Sequence, residues 1–235
     1  MDSISIIAPA YNEQDNLRVF IESCASIRDL EPRVIEVIII NDASTDGSAK
    51  LLEQMCYEFS FLKILTNSKN IGCHPSVIRG FQHSIGQWLL FLPTDNQILP
   101  NILVDIIPHL EDNDLIGTRR SNRSDPLARI FLSTIYNYIL RLITGISFHD
   151  FDSSIFIRRN VFDTISSHLS TTNVAFAAEI ALLCHSYGYR SQEFDIPHYP
   201  RKKGVAKGIN SRDIISLPYN LLLLARKRVH LRRMA

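Results

Sequence analysis

Apolar positions along the first 120 residues follow two alternating rhythms. Short β-branched runs read as strands: "ISIIAP" from Ile4, "VIEVIII" from Val34, "FLKILT" from Phe61, "QWLLFL" from Gln87 and "LIGTR" from Leu115. Between them apolar residues recur at helical spacing, as in Leu17, Phe20, Ile21, Cys24 and Ile27, which places them on one helix face. "DGSAKLLEQMCYEF" and "HPSVIRGFQHSIG" predict two further helices, the second with Pro75 in its first turn, where proline is tolerated. "LPNILVDIIPHLED" predicts a helix interrupted near Pro108. Strand and helix in alternation predict an α/β fold, a mostly parallel sheet with helices on both faces.

Each of three strands ends in a polar cluster: "PAYNE" after the first, "NDASTDG" after the second, "PTDNQ" after the fourth. Open α/β sheets bind ligands beyond the carboxyl ends of their strands, so these clusters are expected to meet in one crevice. In "LLFLPTDNQILP" a run of large apolar residues delivers a carboxylate, Asp95, to its own tip. A polar turn would use the same residue types. A strand acting as a rigid arm for a site would too.

The second half is less regular. Residues 126–144 predict a long helix with Leu127, Ile130, Phe131, Thr134, Ile135, Tyr138 and Leu142 on one broad face. "HDFDSSIFIRR" joins an acidic turn to a strand-like run, and "VAFAAEIALLCHSYG" is an apolar helix with one carboxylate, Glu179. "SQEFDIPHYPRKKGVAKG" passes from strand to a basic loop. His149 and His198 nearby are read as surface histidines. The tail over 211–235 sets an apolar patch before Arg226, Lys227, Arg228, Arg232 and Arg233. That is the make-up of a helix lying in a membrane interface, and equally of a helix packing on the domain or on a second subunit of a homo-oligomer.

Composition adds exclusions. A net charge of +1 provides no global field to attract nucleic acid. Cys24, Cys56, Cys73 and Cys184 are scattered, which fits reduced thiols rather than a zinc or disulfide framework. The N-terminus lacks the basic start and apolar region of a signal peptide. No stretch approaches the roughly 20 apolar residues of a membrane span. The expectation is a cytoplasmic protein, either free or peripheral on the inner face of the membrane.

Taken in order, "SIIAPAYNEQDNL", "VIIINDASTDGS", "NIGCHPSVIRGFQHSIGQWLLFLPTDNQILP" and "RKKGVAK" resemble the family 2 glycosyltransferases of GT-A fold. The resemblance is to the dolichyl-phosphate mannose synthase-like, polyprenyl-phosphate glycosyltransferase branch, and runs from about Ile4 to Lys207. It implies a GT-A domain over 1–210, with a nucleotide-sugar half to about 115 and an acceptor half from 116. It places the nucleotide sugar on Pro9, Tyr11, Glu13, Ile40, Asp42, Thr94, Asp95 and Arg119, with Asp46 capping the next helix. The family's Asp-x-Asp-x-Gln metal motif reads Pro93-Thr94-Asp95-Asn96-Gln97 here. Asp95 and Gln97 are therefore the implied ligands of a divalent ion, Mg²⁺ or Mn²⁺, with Pro93 in place of the first Asp. Magnesium accepts one or two carboxylates beside phosphate oxygens and waters.

By the same resemblance Arg129, Ser133 and Glu179 fall on the acceptor or phosphate side, and Asp150 on a leading Asp of the acceptor segment. Arg201 and Lys207 match the basic loop, whose guanidinium and ammonium suit phosphate. The implied reaction is inverting transfer of a sugar from a nucleoside diphosphate to a polyprenyl phosphate, with Asp95, Asp150, Arg201 and Lys207 as the catalytic set. A sugar hydroxyl in polysaccharide or glycolipid synthesis is the alternative acceptor. It would need a base, for which Asp150 is the candidate and Asp152 the second. A non-catalytic nucleotide-sugar binder is the remaining reading, because Pro93 breaks the metal motif. A dinucleotide-dependent dehydrogenase is disfavoured, since no Gly-x-Gly-x-x-Gly follows the first strand.

Overall fold

A computed structural model describes residues 2–123, 125–170, 175–201, 203 and 211–234, with backbone only for 211–214, 233 and 234. Strands β1 (Ile4–Ala10), β2 (Val34–Asn41), β3 (Leu62–Thr66) and β4 (Trp88–Phe91) alternate with helices α1 (Gln14–Leu30), α2 (Ser48–Glu58) and α3 (Cys73–His83). Then come α4 (Ile102–Ile106), a 3-10 turn at Ile107–His109, β5 (Leu115–Ser121) and α5 (Leu127–Thr144). The chain continues through β6 (Ile155–Arg158), α6 (Arg159–Ser166), α7 (Phe176–Ser186), β7 (Ser191–Pro197) and α8 (Ser211–Met234). The break after α4 falls beside Pro108 as the sequence predicts, because proline cannot donate to the preceding turn.

The strands form one sheet in the order β3-β2-β1-β4-β6-β5-β7. Only β6 runs antiparallel to its neighbours; the other pairings are parallel. The expected nucleotide-sugar and acceptor halves therefore share a continuous sheet, with β6 between β4 and β5. Each face carries its own core. Ile4, Ile6 and Ala8 of β1 pack with Leu17, Phe20 and Leu52 of α1 and α2. Ile7, Ile38 and Ile40 pack on the other side with Val77, Phe81 and Phe162. This is the period-2 division of a strand buried on both faces. Helix α3 sits very close to the sheet: a Cβ on Gly80 would lie 2.4 Å from Ile7 Cγ2 and 2.8 Å from Ile40 Cδ1.

Two features depart from the sequence reading. Helix α6 was not predicted. Its apolar residues Val161, Phe162 and Ile165 span little more than a turn and directly follow a strand, too short a window for the period to declare itself. Helix α5 is turned inside out: Asn137, Leu140 and Thr144 face the domain, whereas Leu127, Phe131, Tyr138 and Leu142 of the broad apolar face are exposed.

The tail forms the continuous helix α8, which packs against α5 and α7. Leu224 of its apolar patch is fully buried, so that part of the patch serves packing. No helix among the described residues is long and apolar enough to cross a membrane.

Candidate active site

Asn12, Ala43, Asn96 and Asn122 are the non-glycine residues with positive φ among the described residues. They lie one to five residues past the ends of β1, β2, β4 and β5. Left-handed backbone at non-glycine residues costs energy and gathers at functional sites. The strained turns mark the crevice that the parallel strands share.

At the β4 tip, Thr94 is buried and donates from Oγ1 to the Pro9 carbonyl at 3.1 Å. The β1 and β4 turns are thereby tied together. Asp95 follows, its Oδ1 accepting from the Gln97 N–H at 3.1 Å. Burial raises its pKa above the ordinary carboxylate range, partly offset by the Gln97 N–H and Arg201, while Glu13 pushes it further up. Arg201 brings the basic loop onto these acids. Its Nη2 donates to Glu13 Oε1 and Oε2 at 2.8 and 2.6 Å, and its Nη1 lies 3.6 Å from Asp95 Oδ2. Glu13, Asp95 and Arg201, assigned from three separate motifs, thus meet at one point. Lys207 lies outside the described residues. Tyr11 is half-buried at the same tip.

An oxygen-ligated divalent ion fits this point. Asp95 supplies a carboxylate, and Gln97 Nε2 donates to the Tyr199 carbonyl at 3.4 Å, with no bond to its Oε1 among the described residues. The Asn96 side-chain oxygen beside them is buried without a partner among the described residues. Oxygen donors of this kind suit Mg²⁺ or Mn²⁺. No cluster of three His, Cys, Asp or Glu occurs among the described residues, so an ion here would complete its shell from substrate and water.

Two residues expected on the nucleotide side have commitments within the fold. Ile40 is fully buried beneath Gly80, so its side chain belongs to the core. Asp42 is committed to a loop: Oδ1 accepts from Asn67 Nδ2 at 2.7 Å and the Ile71 N–H at 2.9 Å, and Oδ2 from the Gly72 N–H at 2.8 Å. Only Oδ2 keeps an acceptor position. Asp46 lies in the turn before α2, whose N-cap is Gly47, and accepts from the Ser48 N–H at 2.9 Å and the Gln14 N–H at 3.2 Å.

On the side expected to take the acceptor, Arg120 carries the link to Asp150, while Arg119, expected beside the donor, does not. Arg119 is opposite Asp195 in the β5–β7 register and pairs with it at the surface. Arg120, one residue on and so on the other face of the strand, forks onto Asp150: Nε to Oδ2 at 2.7 Å and Nη2 to Oδ1 at 2.8 Å. Burial alone would raise the Asp150 pKa, but this fork outweighs it and holds the carboxyl low. The alternation of strand side chains was the available signal for choosing between the two arginines.

Around this pair Arg123 binds Asp125 at 2.8 Å and donates to Ser133 Oγ at 2.9 Å, and Arg129 lies 3.2 Å from Asp125. Asn137 Oδ1 accepts from the Phe151 N–H at 2.9 Å, which fixes the turn carrying Asp150 and Asp152. Asp152 reaches solvent, yet the protein crowding it raises its pKa to about 6, with Arg120 opposing and Asp150 reinforcing the rise. His198, expected at the surface, is buried, and its Nδ1 has no partner among the described residues. Burial first, then Arg120, lowers its pKa and favours the neutral ring.

Glu179 is placed elsewhere. It is fully buried on α7, paired with Lys227 of α8, and accepts from the Ser170 N–H and hydroxyl, the latter at 2.7 Å. Its described partners anchor α8 and include no residue of the strand-tip cluster.

A mainly parallel sheet covered on both faces, with acids and arginines gathered at the strand tips, defines a GT-A type glycosyltransferase fold. The chain belongs to glycosyl transferase family 2, whose profile matches residues 5–166. Undecaprenyl-phosphate 4-deoxy-4-formamido-L-arabinose transferases of Pectobacterium carotovorum subsp. carotovorum (strain PC1) and Proteus mirabilis (strain HI4320) are each 29% identical to it, over 224 and 227 residues. These alignments take in 94% of this chain and 66% and 67% of the relatives, so the chain spans about two-thirds of their length. Among solved structures, glucosyl-3-phosphoglycerate synthase of Mycobacterium tuberculosis with Mn²⁺, UDP and glucosyl-3-phosphoglycerate is similar at TM-score 0.68 and 15% identity, covering 94% of this chain and 80% of that one. A Pyrobaculum calidifontis mannosyltransferase in complex with GDP-Man and Mn²⁺ is similar at TM-score 0.65 and 16% identity, covering 88% and 58%. Both likenesses establish the fold.

Proposed function

We propose that the protein transfers a sugar, with inversion, from a nucleoside diphosphate sugar to a polyprenyl phosphate at the inner face of a membrane. The observation that carries this reading is the meeting of Arg201 with Glu13 and Asp95 at the strand tips. Arg201 is positioned to leave Glu13 and fork onto the diphosphate once a donor enters, and Lys207 of the same loop is proposed to add a second charge. Tyr11 and Pro9 would line the base, and Thr94 holds the two turns in register. Asp95 and Gln97 would hold the divalent ion, which when bound supplies positive charge to the leaving diphosphate.

On the acceptor side Asp150 is neutralised by Arg120 and is a poor base. A phosphate acceptor is already anionic and needs none, so this pairing favours the lipid phosphate over a hydroxyl. Arg123, Arg129 and Ser133 would position that phosphate. The names of the relatives point the same way.

A second reading, transfer to a sugar hydroxyl, draws on Asp152. Its raised pKa suits a general base near neutral pH, and it takes over the part expected of Asp150. A non-catalytic donor-binding role rests only on Pro93. A screen of UDP-, GDP- and dTDP-sugars with Mg²⁺ or Mn²⁺ separates the three, run with a short-chain polyprenyl phosphate or a glycan acceptor. Label in the lipid product supports the first reading, label in the glycan the second, and donor binding without turnover the third.

A further inference from the structure

Asp42 and Asn67 are the first residues beyond β2 and β3, whose last paired residues are Asn41 and Thr66. Both are buried, at 3 and 6% exposure. The Asn67 amide is engaged at both ends. Its Nδ2 donates to Asp42 Oδ1 at 2.7 Å and to Ser76 Oγ at 2.9 Å, and its Oδ1 accepts from Arg79 Nη1. Arg79, half-buried on α3, also donates to the Thr66 carbonyl at 2.8 Å. A guanidinium has donors only. Arg79 therefore fixes the sense of the amide, with its oxygen toward the guanidinium and its nitrogen toward Asp42.

Two backbone donors complete the setting of Asp42. The Ile71 N–H donates to Oδ1 at 2.9 Å and the Gly72 N–H to Oδ2 at 2.8 Å. Gly72 has a φ of +95°, a conformation open to glycine, and successive N–H groups there face one carboxylate. A carboxylate accepts at about four positions, two on each oxygen. Asn67 and Ile71 fill Oδ1, and Gly72 takes one place on Oδ2. A single acceptor position is left, on Oδ2.

This carboxylate lies at the nucleotide end of the crevice. The Asp42 N–H bonds to the Ala10 carbonyl at 2.8 Å, next to Tyr11, which with Pro9 would line the base. A base edge that reaches Asp42 meets one acceptor. Uracil and thymine present one imide N–H between two carbonyls, which matches. Guanine presents two adjacent donors, the ring N–H and the amino group, and the second would face an oxygen already filled. Cytosine and adenine set an unprotonated ring nitrogen beside their amino group, and its lone pair would oppose the carboxylate. At a buried site an unmet donor or an opposed lone pair costs free energy that water does not return.

We propose that Asn67 and Arg79 are positioning residues that set base specificity: they hold Asp42 to one free acceptor, and the donor site selects a base with a single imide N–H, uracil or thymine. This selection rests on the reading of the crevice as a nucleotide-sugar site. The experiment is calorimetric titration of the full chain, with Mn²⁺ present, by UDP, 3-methyl-UDP, GDP, inosine diphosphate and inorganic pyrophosphate. UDP should bind at least about tenfold more tightly than GDP and than 3-methyl-UDP, which lacks the N–H. Inosine diphosphate keeps the purine size and omits the second donor, and should bind at least as well as GDP. Asn67→Leu frees a position on Oδ1 and should bring UDP and GDP within about threefold of each other, with pyrophosphate binding unchanged. Arg79→Ala should move the ratio the same way by less. A merely structural role for either residue would change pyrophosphate and both nucleotides together. If Asn67→Leu does not fold, Arg79→Ala and the wild-type series decide. UDP no tighter than 3-methyl-UDP, GDP at least as tight as UDP or about tenfold tighter than inosine diphosphate, or a ratio unmoved by both variants would each overturn the proposal and leave the donor reading standing. Binding of none of these ligands, pyrophosphate included, would overturn the donor reading itself and the proposal with it.

Discussion

One nitrogen of Arg201, Nη2, donates to both carboxylate oxygens of Glu13, 188 residues away in sequence, while Nη1 stands 3.6 Å from Asp95. The guanidinium occupies the centre of the charge that a bound metal and diphosphate would otherwise share. Arg201→Lys keeps the charge but loses the fork. Transfer should fall at least tenfold, with the donor KM rising and the thermal midpoint within a few degrees of wild type. Steady-state kinetics and a melting curve check this, and a large loss of midpoint with normal activity per folded molecule would make Arg201 structural.

Asp95→Ala removes the acid at the tip of β4. The expected rate is below a tenth of wild type, a barrier increase above roughly 1.4 kcal/mol. Stability should hold or rise, because burial already disfavours the ionised carboxyl. Pro93→Asp restores the family's first acid and should lower the metal concentration giving half-maximal activity. An unchanged metal titration in that variant would count against Asp95 as an ion ligand.

The neighbouring arginines of β5 should separate cleanly. Arg119→Ala breaks a surface pair with Asp195, and such pairs contribute about 0–1 kcal/mol, so activity should stay within about twofold of wild type. Arg120→Ala leaves Asp150 buried without its fork. Removing one partner of a buried pair costs on the order of 3–5 kcal/mol, and urea denaturation should show it. Similar effects for the two variants would sink the assignment of the acceptor side.

Acidity distinguishes the acceptors. If the acceptor is a hydroxyl, transfer should rise with pH through about 6 as Asp152 ionises, and Asp152→Asn should remove that limb. If it is a lipid phosphate, Asp152→Asn should keep most of the activity. Stability has a definite sign. The folded-state pKa of Asp152 is raised, so folded protein binds the proton more readily than unfolded chain, and the associated stability is lost as pH rises through about 6. Asp152→Asn should be the more stable protein above that pH, with the gap closing in acid.

Glu36 gives the opposite sign. It is buried at 1% exposure and accepts from Ser5 Oγ at 2.5 Å, the Ile85 N–H at 2.6 Å and Lys63 Nζ at 2.7 Å. Burial pushes its pKa up, but these donors outweigh burial and leave it low. Its contribution is thus present above the ordinary carboxylate range and is lost as pH falls through the folded value. Glu36→Ala leaves the exposed Lys63 to water but the Ser5 hydroxyl and the Ile85 N–H without their acceptor, and should cost about 1–3 kcal/mol at neutral pH. Urea midpoints should show the difference from wild type shrinking in acid; a constant difference would show that the ionised form does not matter.

The alternation of strand and helix periods determined the α/β architecture, because amphipathic spacing is a local property of the chain. The ends of the apolar runs likewise placed Asp95, Glu13 and Asp42 at strand tips, and the motif order gave the family. Tertiary packing decided what those residues do. Asp42 turned to a loop and Glu179 to Lys227, since a buried carboxylate takes whichever donors the fold brings to it. Arg120 rather than Arg119 reached Asp150, because the pleat sends adjacent side chains to opposite faces and only the pairing with β7 shows which face is occupied. The apolar row of α5 reads in sequence like any core-facing helix. Its outward orientation depends on Asn137 bonding to the Phe151 N–H beyond the end of the helix and on Leu140 entering the core, tertiary contacts that leave no mark in the helical period.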